Sequence, residues 1–295
     1  MTARPGQEGP TIASLARESF YRLFADEAIP LAGNIAFRTV FSVFPFLIFL
    51  TALAGFFGSN ALAEGVVTFL LSVAPAELVK PLVPEIRSIL TVPRTGLLSI
   101  SALITIWSAM GGVDSVRVGL NRAYDTRETR NIWWLYVQNV LFVIGSAIFL
   151  LIVALLIVFA PVVIQLIETH APALRGHFVT LEQLRYPIGV TLLTLGVLLC
   201  HRILPAKALS VLEVLPGVVL TVAAWVVMSS AFSIYLVNFN TFASTYASLS
   251  GVFAAMFFVY LAALVLILGG EVNRVLEVRR IMRMQRFRTG EDGEV

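Results

Sequence analysis

The sequence predicts an all-α fold: a polytopic membrane helix bundle of six transmembrane helices, with interfacial helices between the first and the second. Three observations carry this. Apolar residues make up 58% of the 295 positions and charged residues only 13%, and the mean hydropathy of +0.88 lies far above that of ordinary soluble domains. Apolar runs of the length needed to cross a hydrocarbon core, about 20 residues for about 30 Å, recur along the chain. Lysine and arginine also alternate between rich and poor connecting segments, as they do in proteins threaded through a bilayer.

Residues 1–32 carry scattered charges and no apolar run followed by a small-residue cleavage site, so they read as a cytoplasmic N-terminal segment without a signal peptide. The first span, about 33–58, is broken only by Arg38 and a few small polar residues. Residues 60–94 mix apolar pieces with Glu64, Glu77, Lys80, Glu85 and Arg87 and with Pro75, Pro81, Pro84 and Pro93, which predicts short interfacial helices. The second span runs from Gly96 to about Asp114. The third, about 133–167, opens on Trp133, Trp134 and Tyr136, side chains suited to the headgroup level, and is long enough to tilt or to bend at Pro161. Residues 168–185 are polar enough for an aqueous loop. The fourth span is 186–204, the fifth 213–237 with Pro216, Gly217 and Trp225, and the sixth 249–272 after an uncharged connection. The organisation is therefore a cytoplasmic segment (1–32), a six-helix membrane domain (33–272) and a basic cytoplasmic tail (273–295).

Counting cations on alternate sides orients the bundle. One side collects 15 of the lysines and arginines: Arg4, Arg17 and Arg22, the group from Arg117 to Arg130, Arg202 with Lys207, and the tail from Arg274 to Arg288. The other collects 5, and Arg38 lies inside a span. The basic side is cytoplasmic by the positive-inside rule, which puts both termini there and requires an even number of spans. Cys200, the one cysteine, has no partner for an intramolecular disulfide and reads as a small core or lipid-facing residue.

Four blocks in order, AGNIAFRTVFSVFPFLIFL at 32–50, VRVGLNRAYDTRETR at 116–130, HRILPAKALSVLEVLPGVVLTVAAW at 201–225 and LILGGEVNR at 266–274, resemble the YihY/BrkB family of bacterial inner-membrane proteins, long labelled "ribonuclease BN". The resemblance covers about residues 20–280. It implies a six-helix inner-membrane protein of undefined biochemistry, with roles proposed in transport, envelope integrity and resistance to host killing, and no demonstrated substrate. Arg38 departs from the family pattern, which has an aromatic or small residue there, so no role for it carries over.

Arg38 is the sharpest anomaly, because an ionised side chain within a span costs at least a few kcal/mol unless it finds water or a partner. Asn34, Arg38, Phe41 and Pro45 share a helical stripe, with Ser42 four residues beyond Arg38. Either this stripe faces a polar cavity where Arg38 attracts an anion, or Arg38 snorkels to the interface or pairs with an acid. Asp114 and Glu271, at the ends of the second and sixth spans, are the natural counter-charges, as a structural salt bridge or as part of a gated site. Glu271 follows Gly269 and Gly270 and precedes Asn273, a pattern for close helix contact with a polar purpose. Pro45 and the Pro216–Gly217 pair interrupt backbone hydrogen bonding, which either exposes carbonyls to a ligand or kinks the bundle. The candidate cavity is thus Asn34, Arg38, Ser42, Pro45, Asp114, Glu271 and Asn273.

Arg117, Asn121 and Tyr124 repeat at i, i+4, i+7 on a helix expected to continue the second span. With Arg122 and Arg202 they are candidates for anionic phospholipid headgroups, the alternative being topology determinants alone. His170, His177 and His201 fall in two loops on opposite faces, and there is no metal-ligand spacing, phosphate loop or nucleophile elbow. No metal, cofactor, catalytic residue or nucleic-acid partner is expected. The function expected is a transporter or a lipid- or small-solute-handling protein with a polar intramembrane cavity. The alternative is a non-catalytic envelope-integrity or partner-binding protein, and a membrane ribonuclease has the least support.

Overall fold

A computed structural model describes residues 11–57, 95–154, 175–238 and 247–289, with isolated positions between 64 and 88. Its elements are helices: α1 (Ile12–Ala25), α2 (Ala28–Phe57), α3 (Thr95–Ala123), α4 (Ile132–Ala154), α5 (Arg175–Ile203), α6 (Val211–Asn238) and α7 (Ala247–Thr289). Five carry stretches long and apolar enough to cross a membrane: Ala28–Phe49, Ser99–Ala123, Ile132–Ile152, Val211–Tyr235 and Gly251–Gln285. A shorter apolar stretch, Pro187–Ile203, lies in α5. The chain is therefore an all-α, polytopic membrane helix bundle. Its helices turn apolar side chains outward as well as inward. Leu141, Ile144, Ile148 and Leu151 of α4 are all exposed, which is stable in lipid, where the backbone must be satisfied internally and apolar side chains are solvated.

The chain divides into two compact units, Met1–Ala36 with Val113–Val295, and Phe37–Gly112. In the first, α6 packs against α5 and α7, α1 against α7, and α4 against α5. One core cluster joins Leu120, Tyr124, Val197, Leu204, Val218 and Leu266. A second joins Leu23, Ala28, Ala32, Ile35, Ala123 and Ile267.

Helix ends are set by local chemistry. After α3, Asp125 adopts a left-handed conformation (φ 51°). The amide of Thr126 then donates to the Asn121 carbonyl at 2.8 Å and that of Asp125 to the Arg122 carbonyl at 3.0 Å, the paired closure of a Schellman cap. At the start of α6, Glu213 accepts a hydrogen bond from the backbone amide of Ser210 at 2.8 Å, half of a capping box.

Several boundaries differ from the sequence reading. The end of α3 does not: it continues from Asp114 to Ala123, as the spacing of Arg117 and Asn121 leads one to expect, and Leu120 and Ala123 bury an apolar stripe among polar neighbours. α5 begins at Arg175, where an aqueous loop to 185 was expected; RGHFVTLEQLR is polar, yet its Leu, Glu and Gln are good helix formers. His201, assigned from sequence to a loop, lies in the last turn of α5 together with Arg202. α7 runs on to Thr289, so most of the basic tail is helical. The interfacial helices expected at 60–94, the third span beyond Ala154 with Pro161, and most of the connection before α7 lie outside the described residues.

Candidate functional site: a buried polar junction

Asn273 is the hub. It sits on α7, one turn beyond Gly269, and is 3% exposed. Its Oδ1 accepts the Gly217 amide of α6 at 2.7 Å. Its Nδ2 donates to the Val214 carbonyl at 3.0 Å and to the Tyr124 hydroxyl, just beyond α3, at 2.9 Å. The Tyr124 hydroxyl lies 2.8 Å from Nδ1 of His201 at the end of α5. Because Tyr124 accepts from Asn273, its own proton goes to His201 Nδ1, which puts the imidazole proton of neutral His201 on Nε2. That Nε2 is buried and has no hydrogen-bond partner among the described residues. Burial pushes the Tyr124 phenol above its ordinary range, so it stays protonated and keeps the relay intact.

Close approach of α6 and α7 makes the junction possible. A Cβ on Gly217 would stand 2.1 Å from the Gly269 carbonyl oxygen, and one on Gly269 would stand 2.3 Å from Thr221 Oγ1. The two backbones touch, so only glycine fits at either position.

One residue after Gly270, Glu271 is fully buried, and Arg22 of α1 donates from Nε to its Oε2 at 2.9 Å. Arg22 also reaches Asp26 at 3.4 Å, and Arg122 approaches Asp26 at 3.6 Å. The second Glu271 oxygen, Oε1, has no hydrogen-bond partner among the described residues. Asp114 accepts from Arg117 at 2.5 Å. Both acids read from sequence as counter-charges are thus engaged by arginines other than Arg38.

Arg117 continues into a clamp at the end of α5. It donates to Glu128 at 2.8 Å, as does Asn121 at 3.1 Å. Arg130 grips both Glu128 oxygens at 2.8 Å each, then donates to the Leu204 carbonyl at 2.7 Å. Gln138 donates to the Ile203 carbonyl at 2.9 Å, and the Ala206 amide donates to Asn121 at 2.7 Å. A guanidinium and an amide therefore cap the open carbonyls of α5. The Arg130 fork holds the Glu128 carboxyl down at about 2.

The remaining sequence-selected residues have plain placements. Asn34 donates to Ser115 at 3.3 Å. In the second unit, Arg38 Nη1 lies 3.5 Å from the Gly111 carbonyl, Ser42 donates to the Thr39 carbonyl at 2.7 Å, and Pro45 is buried inside α2. Of the headgroup candidates, Arg117, Asn121 and Tyr124 are buried against protein groups, whereas Arg122 and Arg202 are exposed. Arg22, Gly217 and His201 were not selected from sequence. His201 was legible, since Val197, His201 and Leu204 follow one helical stripe whose other members are apolar and buried.

The family model described as "Virulence factor BrkB" matches residues 19–290. Among curated proteins, the chain is similar to the "Putative ribonuclease-like protein YfkH" of Bacillus subtilis, 28% identical over 267 residues that cover 90% of this chain and 96% of that protein. No solved structure matches.

Proposed function

The chain belongs to the virulence factor BrkB (YihY/BrkB) family, and from that premise we propose that it is a multi-pass inner-membrane transporter or lipid- or small-solute-handling protein. The family is not known for catalytic activity, which supports a non-enzymatic assignment. In this reading α5 supplies the fourth of six spans, and both termini are cytoplasmic, on the side that carries most of the cations. In the first unit Asn34, Asp114, Glu271 and Asn273 are the candidate polar lining, in the second Arg38, Ser42 and Pro45, and the exposed Arg122 and Arg202 meet anionic phospholipid headgroups.

The observation that carries the proposal is Glu271. A fully buried carboxylate at the end of the apolar run of α7 is costly, and here one oxygen is hydrogen-bonded while the other is left without a partner among the described residues. Intramembrane acids of this kind mark ion and substrate pathways. The test is flux and lipid movement in proteoliposomes carrying the Glu271→Gln and Arg38→Ala proteins, with thermal stability measured alongside. Loss of transport in folded variants is expected; wild-type rates in both would overturn the assignment.

A second reading, a non-catalytic envelope or partner-binding protein, is favoured by the Asn273 junction. Its amide has bonded partners on three sides, the arrangement of a lock. Crosslinking in membranes that recovers a stable partner, together with unchanged flux in the variants above, would select it.

A further inference from the structure

We propose that α1 is a membrane-surface anchor whose exposed aromatic face, Phe20, Tyr21 and Phe24, inserts into the lipid headgroup layer where α7 leaves the bilayer. The inference does not rest on the transport reading.

α1 is turned the wrong way round for a helix in water. Ser19 and Leu23 are buried, while Phe20, Tyr21 and Phe24 are 57%, 74% and 53% exposed. Phe20 and Phe24 pack edge to face at 5.0 Å, forming a continuous apolar ridge. The opposite face is fixed to α7 at two levels. Arg22 is bonded to Glu271 at 2.9 Å, and Arg279 to Glu18 at 2.8 Å and to Ser14 at 3.2 Å. α1 therefore runs antiparallel to the C-terminal part of α7.

This pairing sets the depth of the ridge. α7 has 43 residues, about 64 Å at 1.5 Å per residue against a hydrocarbon core of about 30 Å. Its uncharged run, Gly251 to Gly270, is sufficient to cross that core, so Glu271 stands at the boundary and the arginine-rich remainder beyond it. Arg22, bonded to Glu271, stands at the same level, and Phe20, Tyr21 and Phe24 lie within one turn of it. The membrane span of α2 independently begins at Ala28, only a few residues past Phe24. Both routes bring the ridge to the headgroup boundary, where amphipathic aromatic side chains are favoured. Its occupant is the bilayer, because the length of α7 and the start of the α2 span both put the ridge at the headgroup level.

The experiment uses the full chain in a Cys200→Ala background with single cysteines, Ala13→Cys, Phe20→Cys and Phe24→Cys. Each is labelled with an environment-sensitive fluorophore and reconstituted into phosphatidylcholine–phosphatidylglycerol vesicles. Ala13 shares the stripe of Phe20 and Phe24 but lies about two turns further from the membrane. Nitroxide lipids labelled near the headgroup are expected to quench positions 20 and 24 severalfold more than position 13, with blue-shifted emission at 24. Equal, water-like behaviour at all three would overturn the proposal. So would protection that disappears as the protein-to-lipid ratio falls, because then a second copy covers the ridge. Should cysteine at 20 or 24 prevent folding, tryptophan at the same positions read with brominated lipids makes the same distinction.

Discussion

Gly217→Ala puts the helix contact under direct test. The added Cβ would stand 2.1 Å from the Gly269 carbonyl oxygen and 2.5 Å from Asn273 Nδ2, where ordinary contact begins at 3.4 Å. Both obstacles sit on α7, one of them backbone, so α6 and α7 must part by about 1 Å. That movement stretches the bonds of Asn273 to Gly217 and Val214, now 2.7 and 3.0 Å. Two weakened buried hydrogen bonds at about 1 kcal/mol each, plus an overpacking penalty of about 1–3 kcal/mol, give about 3–5 kcal/mol of destabilisation. For a chain of 295 residues that lowers Tm by about 5–8 °C. The assay is thermal unfolding in lipid nanodiscs, with Gly145→Ala as control. Gly145 also lies in a helix interior, but a Cβ there meets nothing within 4 Å. The control should be neutral or stabilised by up to about 1 kcal/mol, since alanine is the better helix former. If Gly217→Ala melts within about 2 °C of the control, the backbone contact is not what holds α6 to α7.

Three further outcomes are expected. Tyr124→Phe and Asn273→Ala should each destabilise, by about 1–2 and 2–3 kcal/mol, yet the double variant should fall short of the sum by at least about 0.5 kcal/mol, because both remove the same 2.9 Å bond; strict additivity in chemical denaturation would argue that the bond contributes nothing. Arg22→Ala should cost about 3–5 kcal/mol and Glu271→Gln markedly less, because the first leaves a fully buried carboxylate alone whereas the second leaves Arg22 partly exposed and still beside Asp26; the reverse order would refute the pairing. For Glu128, the folded-state carboxyl is held near 2 by Arg130, below its ordinary 4.5. The clamp's contribution is therefore complete above about pH 4.5 and lost as pH falls through about 2. At this exposed edge it amounts to about 1 kcal/mol after solvent screening. The Tm difference between wild type and Glu128→Gln should be flat from pH 7 to 5 and shrink only below that.

The fold was legible because its cause is solvation. Apolar runs of span length leave a peptide backbone no alternative to helix in hydrocarbon, and the stretches in α2, α3, α4, α6 and α7 follow directly. Boundaries were less legible where polarity was taken for loop. Residues 175–185 are polar but include good helix formers, and hydropathy does not distinguish a solvated helix from a solvated loop. The junction was half visible. Glycines beside Glu271 and Asn273 announce a close helix contact, but its other half, Gly217, reads from sequence as part of a backbone break, either a kink or carbonyls open to a ligand. The partner of Glu271 was the residue least visible, since Arg22 is 249 positions away and α1 sits in a stretch without a span-length apolar run. A one-dimensional charge pattern cannot rank Arg22 above Arg38 as the counter-charge.

The cations that orient the bundle also hold it together, and this narrows what they can contact outside. Arg117 is held by Asp114 and Glu128, Arg130 by Glu128 and the α5 carbonyls, Lys207 by Glu277, and Arg274 by Asp125 and Glu277. The C-terminal ends of α3 and α5 meet the N-terminal starts of α4 and α6 at this level. The open carbonyls at the end of α5 carry partial negative charge, and the Arg130 guanidinium is placed to neutralise it. A basic loop in such a protein is therefore not in itself a lipid-binding loop. Arg122 and Arg202 are more accessible than these, and anionic-lipid dependence that survives their joint replacement by glutamine would move the headgroup contact elsewhere, most directly to the arginines along the extension of α7 beside α1.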